Sequence, residues 1–96
     1  MEQSTRDLIL KSVKTDLGMS QTSIFDARLM DKIQQAEEEL TAQGIALTES
    51  RRDQELVIMY TDWLWANRRD GAPMPRMLEM ARNNRLFGQV AGEAEA

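Results

Sequence analysis

The side chains that could carry chemistry in this sequence are carboxylates and arginines. The 96 residues include 16 acidic side chains and 12 basic ones, and they contain neither cysteine nor histidine. Without these two residue types there are no disulfides, thiolate nucleophiles, sulfur-based zinc sites or triads with imidazole as the base. We find no glycine-rich phosphate loop and no nucleophile beside a plausible base. We therefore expect no catalytic residues, cofactor or metal, and a protein that is not an enzyme.

The densest set of carboxylates is the run Glu37-Glu38-Glu39. On a helix these three side chains point in three directions, and at most one of them borders the apolar stripe of that helix. A metal site would need further carboxylates that converge from another element. The run is therefore interpreted as a solvated face.

Charge is unevenly distributed along the chain, whose net charge is −4. Residues 26–62, the acidic segment, hold nine acidic and four basic side chains, a local charge of −5. Residues 63–88, the basic segment, hold five arginines and two acidic residues, a local charge of +3. The arginines are Arg68, Arg69, Arg76, Arg82 and Arg85. The overall balance argues against a generic nucleic-acid coat, and the division suits charge-complementary assembly with copies of the same chain.

Apolar spacing predicts an all-α fold, a compact bundle of about four helices with no strand. Gly18 and Gly44 are expected to end the first two helices in the left-handed conformation. Ser4 with Asp7 and Ser50 with Asp53 have the spacing of helix starts. The helices are expected at about residues 4–17, 24–43, 50–69 and 75–86, within a single domain at 1–88 that precedes a flexible acidic tail at 89–96.

The third predicted helix is apolar on two sides. Trp63 and Trp65 lie about 200° apart around it, so one small core can hardly bury both. Ile58 and Trp65 either pack under a neighbouring helix or loop of the same chain or contact another subunit. The predicted core consists of Ile9, Val13, Leu17, Phe25, Leu29, Ile33, Leu40, Leu56, Tyr60, Trp63, Leu64 and Met77.

Three methionines crowd the start of the fourth helix: Met74, Met77 and Met80. They are interpreted as flexible core filler, with an adaptable docking surface as the alternative. No apolar run approaches the ~20 residues that a bilayer requires, and no targeting signal is present. We therefore expect a protein that has no membrane partner and stays in a cytoplasm-like compartment.

The stretch from Thr15 to Ile24 resembles the turn of helix-turn-helix repressors, with Gly18 in the turn and small polar residues after it. The following helix carries Asp26, Asp31 and the three glutamates, so it would repel DNA. That helix is also about twenty residues long, longer than recognition helices usually are. A small helix-turn-helix DNA-binding regulator is therefore the alternative function, and a small enzyme ranks third.

A wider set of landmarks covers residues 8–87. The early ones are Leu17-Gly18-Met19, Phe25-Asp26, Ala36 through Gly44-Ile45, and the aromatic segment Tyr60-Thr61-Asp62-Trp63-Leu64-Trp65. The more specific ones are Gly71-Ala72-Pro73-Met74-Pro75-Arg76-Met77-Leu78 and Asn83-Asn84-Arg85-Leu86-Phe87. In this order they resemble the small head–tail connector (adaptor) proteins of tailed bacteriophages and prophages.

The resemblance implies a non-enzymatic virion protein at the head–tail interface, made in the cytoplasm of the bacterial host. Such subunits form a dodecamer-like ring beneath the portal protein, and the ring extends the DNA channel. The far side of the ring docks a stopper or tail-completion protein. Genomic DNA passes through the ring without sequence-specific binding.

On this hypothesis Arg76, Arg82 and Arg85 pair with acidic groups of a neighbouring subunit or the portal. Ile58, Trp65 and Phe87 add apolar contact to the same interfaces. Charge reversal at Arg82 and Arg85 is then expected to weaken assembly. We also expect the acidic segment, rather than the arginines, to line the channel, because arginine would grip the phosphates of passing DNA.

Overall fold

The computed structural model describes residues 1–67 and 73–95, with side chains described as far as residue 89. Within these residues the chain forms four helices and no strand, which confirms the all-α prediction. The helices are α1 (Gln3–Asp16), α2 (Asp26–Ala42), α3 (Arg51–Ala66) and α4 (Arg76–Glu95). Among the described residues, none of the helices combines the length and apolar character that crossing a membrane requires.

Both predicted glycine ends are confirmed. Gly18 and Gly44 have φ angles of 71° and 98°, in the left-handed region that glycine enters without steric cost. After α1, the backbone N–H of Met19 donates to the carbonyl of Lys14 at 2.7 Å. After α2, the N–H of Ile45 donates to the carbonyl of Leu40 at 3.2 Å. Each helix thus ends in a Schellman motif, which satisfies carbonyls that the helix itself leaves unpaired.

The two predicted helix starts have different outcomes. At α3 the prediction is confirmed, because the Ser50 side chain accepts a hydrogen bond from the backbone N–H of Asp53. At α1 it is wrong: the helix begins at Gln3, so Ser4 lies inside it, and no side chain caps its start. A tertiary contact sets this end, since the backbone N–H of Glu2 donates to Glu49 at 2.9 Å.

The helices are arranged around α3. Helices α1, α2 and α3 pack against one another, whereas α4 packs against α3 and no other helix of the described chain. The predicted core is largely confirmed, with Ile9, Leu29 and Ile33 fully buried. Four members of the predicted core are only partly buried against the rest: Leu17, Phe25, Trp63 and Leu64.

Met77 was expected in the core, and this prediction is wrong because its side chain is 77% exposed. In the described chain α3 is the only helix that α4 packs against, so one side of α4 faces inward, and Leu78 occupies that side with 2% exposure. The helix also continues to Glu95, beyond the predicted end near residue 86. The predicted flexible tail, residues 89–96, consists mostly of residues whose side chains lie outside the described part of the chain.

Other parts of the same chain cover both apolar sides of α3. Ile58 is 8% exposed and Trp65 is 9% exposed, so the alternative of packing inside the same chain is the observed one. The ring of Trp65 meets that of Phe25 edge to face at 5.7 Å. Trp63 meets Tyr60 in the same way at 5.4 Å. Both side chains therefore pack within the chain, and Trp65 also borders a groove beside α2. Their contact with another subunit stays a prediction.

Candidate interaction surfaces

The α3–α4 junction is built around a buried carboxylate, Asp53, whose side chain has 1% exposure. Arg85 reaches it from α4 in a forked geometry, with Nε 2.7 Å from Oδ1 and Nη2 3.2 Å from Oδ2. Thr48 donates to Oδ2 from its backbone N–H at 2.7 Å and from its hydroxyl at 2.9 Å. Asp53 therefore connects three elements: α3, α4 and the loop between α2 and α3.

Gln89 extends the junction along α4. Its Nε2 donates to the carbonyl of Gly44 at 2.8 Å, and its Oε1 accepts from the backbone N–H of Ala46 at 2.9 Å. Arg85 Nη2 also donates to the carbonyl of Ala46 at 2.8 Å. These bonds satisfy backbone N–H and C=O groups in the loop between α2 and α3, which have no hydrogen-bond partners within a helix.

Charge and burial act against each other at the junction. Burial alone would raise the pKa of Asp53, but hydrogen bonds from Arg85 and Thr48 outweigh it and hold that pKa below its ordinary value. The bond to Asp53 likewise raises the pKa of Arg85 above its ordinary value. The pair therefore stays ionised inside the protein and fastens α4 to α3.

This geometry corrects the role predicted for Arg85, whereas the pairing of Arg76 and Arg82 with acidic groups of another subunit stays a prediction. Arg85 pairs with Asp53 of its own chain and is not available to a neighbouring subunit. Arg82 donates to Gln43 at 3.3 Å and to Asn83 at 3.1 Å, so it too is engaged within the chain. Arg76 is exposed. The remaining two arginines of the basic segment, Arg68 and Arg69, lie outside the described residues.

The outer side of α4 carries three of the five large hydrophobic side chains that are exposed in the described chain. We call Met77, Met80 and Phe87 the α4 stripe, and they are 77%, 52% and 73% exposed. Asn84, also exposed, lies between the last two. The core-filler prediction therefore fails for Met77 and Met80, whereas Met74 packs against the core. An adaptable docking surface at the two exposed methionines stays a prediction.

The α2 outer face has a different character. Asp31 and Glu38 are exposed there, seven residues apart, beside a groove that Arg28, Lys32 and Trp65 also line. The expectation that the glutamate run is a solvated face is only partly right. Glu37 is buried, and its Oε2 accepts from Arg6 Nε at 2.8 Å.

A partly buried carboxyl group, that of Asp62, lies near the other end of α3. Oδ1 of Asp62 is buried, and no described residue offers it a hydrogen bond. Burial and then the neighbouring carboxyl of Asp16, at the end of α1, raise the pKa of Asp62 to about 7. Nearby, Lys14 pairs with Asp26 at 2.9 Å. Asp62 therefore faces a like charge where Asp53 faces an opposite one.

The helix-turn-helix alternative is not supported by the geometry. Nine residues, 17–25, separate α1 from α2, whereas that motif joins its helices by a turn of three or four residues. The would-be recognition helix has 17 residues and exposes Asp31 and Glu38.

Sequence reasoning missed both Asp53–Arg85 and Asp16–Asp62. Asp53 was noticed only for its place in the cap of α3, and nothing in the spacing points to residue 85. Asp62 lies in an aromatic segment, where the rings rather than the carboxyl group were the predicted feature.

Comparison with protein-family models, curated proteins and solved structures finds no match for this chain.

Proposed function

We propose that this chain is a head–tail connector subunit of a tailed bacteriophage or prophage, which forms a ring beneath the portal protein. The motifs from Gly71 to Phe87 support this proposal, because their order resembles that family. Dodecamer-like symmetry, extension of the DNA channel and docking of a stopper or tail-completion protein are part of the proposal. So is its place in the virion at the head–tail interface.

One structural observation carries the proposal: the chain has two outer helices whose exposed residues differ. Helices α2 and α4 both pack against α3 but not against each other. The α2 outer face exposes Asp31 and Glu38 together with Arg28, and α4 exposes Arg76 and Glu79 beside apolar side chains. A ring requires two different complementary surfaces on each subunit. Arg76 of one subunit and Asp31 or Glu38 of the next supply a charged contact of that kind.

The fold also restricts which arginines the ring can use. Reversing the charge of Arg85 would leave Asp53 buried beside a second carboxylate, so it would weaken the fold itself. Arg76 has no such role in the described chain, and a glutamate there would suit the positive end of the α4 dipole. Arg76→Glu therefore tests assembly without an expected loss of folding.

The experiment is assembly on the portal protein of the same phage or prophage, followed by light scattering and electron microscopy. We expect a ring with the wild-type chain, loss of the ring with Arg76→Glu, and recovery with Arg76→Glu combined with Glu38→Arg. Arg51→Glu, an exposed arginine on α3, is the matched control and should assemble normally. Loss of ring formation in both single variants, or no recovery in the double variant, would refute the Arg76–Glu38 contact.

The same reconstruction tests the predicted channel. Duplex DNA that slides past neutral or acidic walls does not have to exchange counterions at each step. We therefore propose that side chains of the acidic segment line the bore. An arginine-lined bore would contradict this, and failure to form any ring on the portal would reject the connector function.

A further inference from the structure

One apolar side of α3 includes a carboxyl group. Ile58, Asp62 and Trp65 are four and three residues apart, which places them within about 60° of one another around the helix. Ile58 and Trp65 are buried, and Oδ1 of Asp62 is buried with no hydrogen bond from the described residues. An unpartnered carboxyl oxygen therefore lies on the same side of α3 as two buried apolar side chains.

The segment that joins α1 to α2, residues 17–25, packs against the core beside this carboxyl group, and we call it the strap. Its side chains Leu17, Met19 and Phe25 are partly buried against the core. The ring of Phe25, at the end of the strap, meets that of Trp65 edge to face at 5.7 Å. This apolar contact holds the strap on α3.

The hydrogen bonds of the strap are local. The backbone N–H of Met19 donates to the carbonyl of Lys14, and the N–H of Thr22 donates to the carbonyl of Met19 at 3.2 Å. The N–H of Asp26 donates to the carbonyl of Ser23 at 3.2 Å. Among the described residues, no hydrogen bond joins the strap to α3. A segment held in this way can open without unfolding the rest of the protein.

Two carboxyl groups meet where the strap begins. Asp16 is the last residue of α1, where the helix dipole adds negative partial charge, and its carboxyl group is the hydrogen-bonding neighbour of Asp62. Burial and this like charge raise the pKa of Asp62 to about 7. Lys14 does not offset them, because its ammonium group pairs with Asp26 at 2.9 Å. A proton on Asp62 is therefore what allows the two groups to stay together.

Helix α2 supplies no cation to Asp62 either. Its charged residues nearest this side of α3 line the groove beside Trp65: Arg28, Asp31, Lys32 and Glu38. Among the described residues, none of them forms an ion pair with Asp62. Loss of the proton thus leaves two carboxylates side by side, with no described cation paired to either.

We propose that the strap is a proton-controlled cover of α3, closed while Asp62 holds its proton and opening when that proton is lost. In the closed form the Asp62 hydroxyl donates to the Asp16 carboxylate. After deprotonation the two carboxylates repel each other at the first end of the strap, and the contact between Phe25 and Trp65 at its other end is broken. The inference does not depend on the connector function, because every group in it belongs to the single chain.

The direction of the pH dependence follows from the two forms. In the open form Asp62 is in water, where the pKa of an aspartate is about 4. In the closed form its pKa is about 7. Opening therefore becomes more favourable as the pH rises from about 4 to about 7, and it changes little above that range.

The test is nuclear magnetic resonance relaxation dispersion on the full chain at pH 5 and pH 8, which detects a minor form that exchanges in microseconds to milliseconds. We expect the amides of Met19 and Phe25 and the indole N–H of Trp65 to report one minor form, at least ten times more populated at pH 8. Asp62→Asn, which keeps a donor for Asp16 at every pH, should abolish this rise. The matched control is Asp31→Asn, which changes an exposed carboxylate of α2 and should retain it.

Three outcomes would overturn the proposal. The first is a strap without exchange at pH 8, and the second is an equal rise in Asp62→Asn, since ionisation of Asp62 would then not be the cause. The third is the same exchange at the amide of Ile33, a buried residue of α2, because the minor form would then be the unfolded chain. Portal protein is absent from the assay, so its result and that of the ring experiment are independent.

Discussion

Asp53 and Asp62 lie nine residues apart on α3, and their surroundings shift the two pKa values in opposite directions. Both are removed from water to some extent, which by itself raises the pKa of a carboxyl group. Around Asp53, Arg85 and Thr48 reverse that effect and lower the pKa. Beside Asp62 stands Asp16, another carboxyl group, and the pKa rises to about 7. The partner supplied by a distant element decides the charge state of each group.

Ionised Asp53 stabilises the packing of α4 on α3, whereas ionised Asp62 destabilises the fold. At the α3–α4 junction every oxygen of Asp53 has a donor, so ionisation holds α4 in place. Near Asp62 one buried oxygen has no donor from the described residues, so ionisation is costly there. The two ends of α3 therefore respond oppositely to pH. Asp53 contributes stability above its unfolded pKa and loses it as acid protonates the folded form, whereas Asp62 weakens the fold as pH rises from about 4 to about 7.

The largest expected effect is from Asp53→Ala, which removes the ion pair that joins α3 to α4. It leaves Arg85 buried without its carboxylate, and we expect the free energy of unfolding to fall by about 3 kcal/mol at pH 7. Urea denaturation followed by circular dichroism measures the change. Glu55→Ala, at an exposed position two residues along α3, is the control and should stay within about 0.5 kcal/mol of wild type. A loss below about 1 kcal/mol for Asp53→Ala would show that the junction does not hold the fold together.

A smaller effect of opposite sign is expected from Asp62→Asn. At pH 8 the folded wild type carries the ionised form that burial and Asp16 disfavour, and the neutral amide removes this cost. Because the pair is partly exposed and screened, we expect a gain of about 1 kcal/mol at pH 8. Near pH 4 the gain should vanish, since folded Asp62 is then protonated. Urea denaturation at both pH values checks this, with Asp31→Asn as a control that shows no such difference. An equal gain at both pH values would exclude ionisation as the cause.

The smallest effect is expected from Asp16→Asn, which removes the like charge and leaves Asp62 in place. The pKa of Asp62 should fall from about 7 but stay above its ordinary value, because burial is the larger cause of its rise. Titration of the Asp62 side-chain carboxyl carbon by nuclear magnetic resonance measures this directly. The stability gain at pH 8 should be smaller than that of Asp62→Asn. An unchanged pKa would mean that Asp16 has no part in the effect.

Local features of the fold were well predicted from the sequence. The left-handed Gly18 and Gly44 and the Ser50 cap depend on residues within one turn of each other, so their patterns can be read along the chain. The start of α1 could not be predicted in this way, because Glu2 finds its partner 47 residues away.

The candidate surfaces were harder to predict. Met77 was assigned to the core because it lies among apolar residues, but its exposure depends on α4 having a single neighbour. Trp65 and Ile58 had two possible locations, and the packing of the other helices around α3 decided between them. Arg85 and Arg76 look alike in the sequence, yet one is held by Asp53 and the other is exposed.

The all-α class, the number of helices and most of the core follow from the period of apolar residues along the chain, since that period dictates which side of each helix avoids water. The lack of cysteine and histidine likewise restricts the chemistry without reference to any structure. Which charges are paired, which apolar side chains stay exposed and which carboxyl group resists ionisation depend on contacts between residues far apart in the chain. Those contacts are set when the helices pack, because only packing brings Arg85 to Asp53 and Asp16 to Asp62.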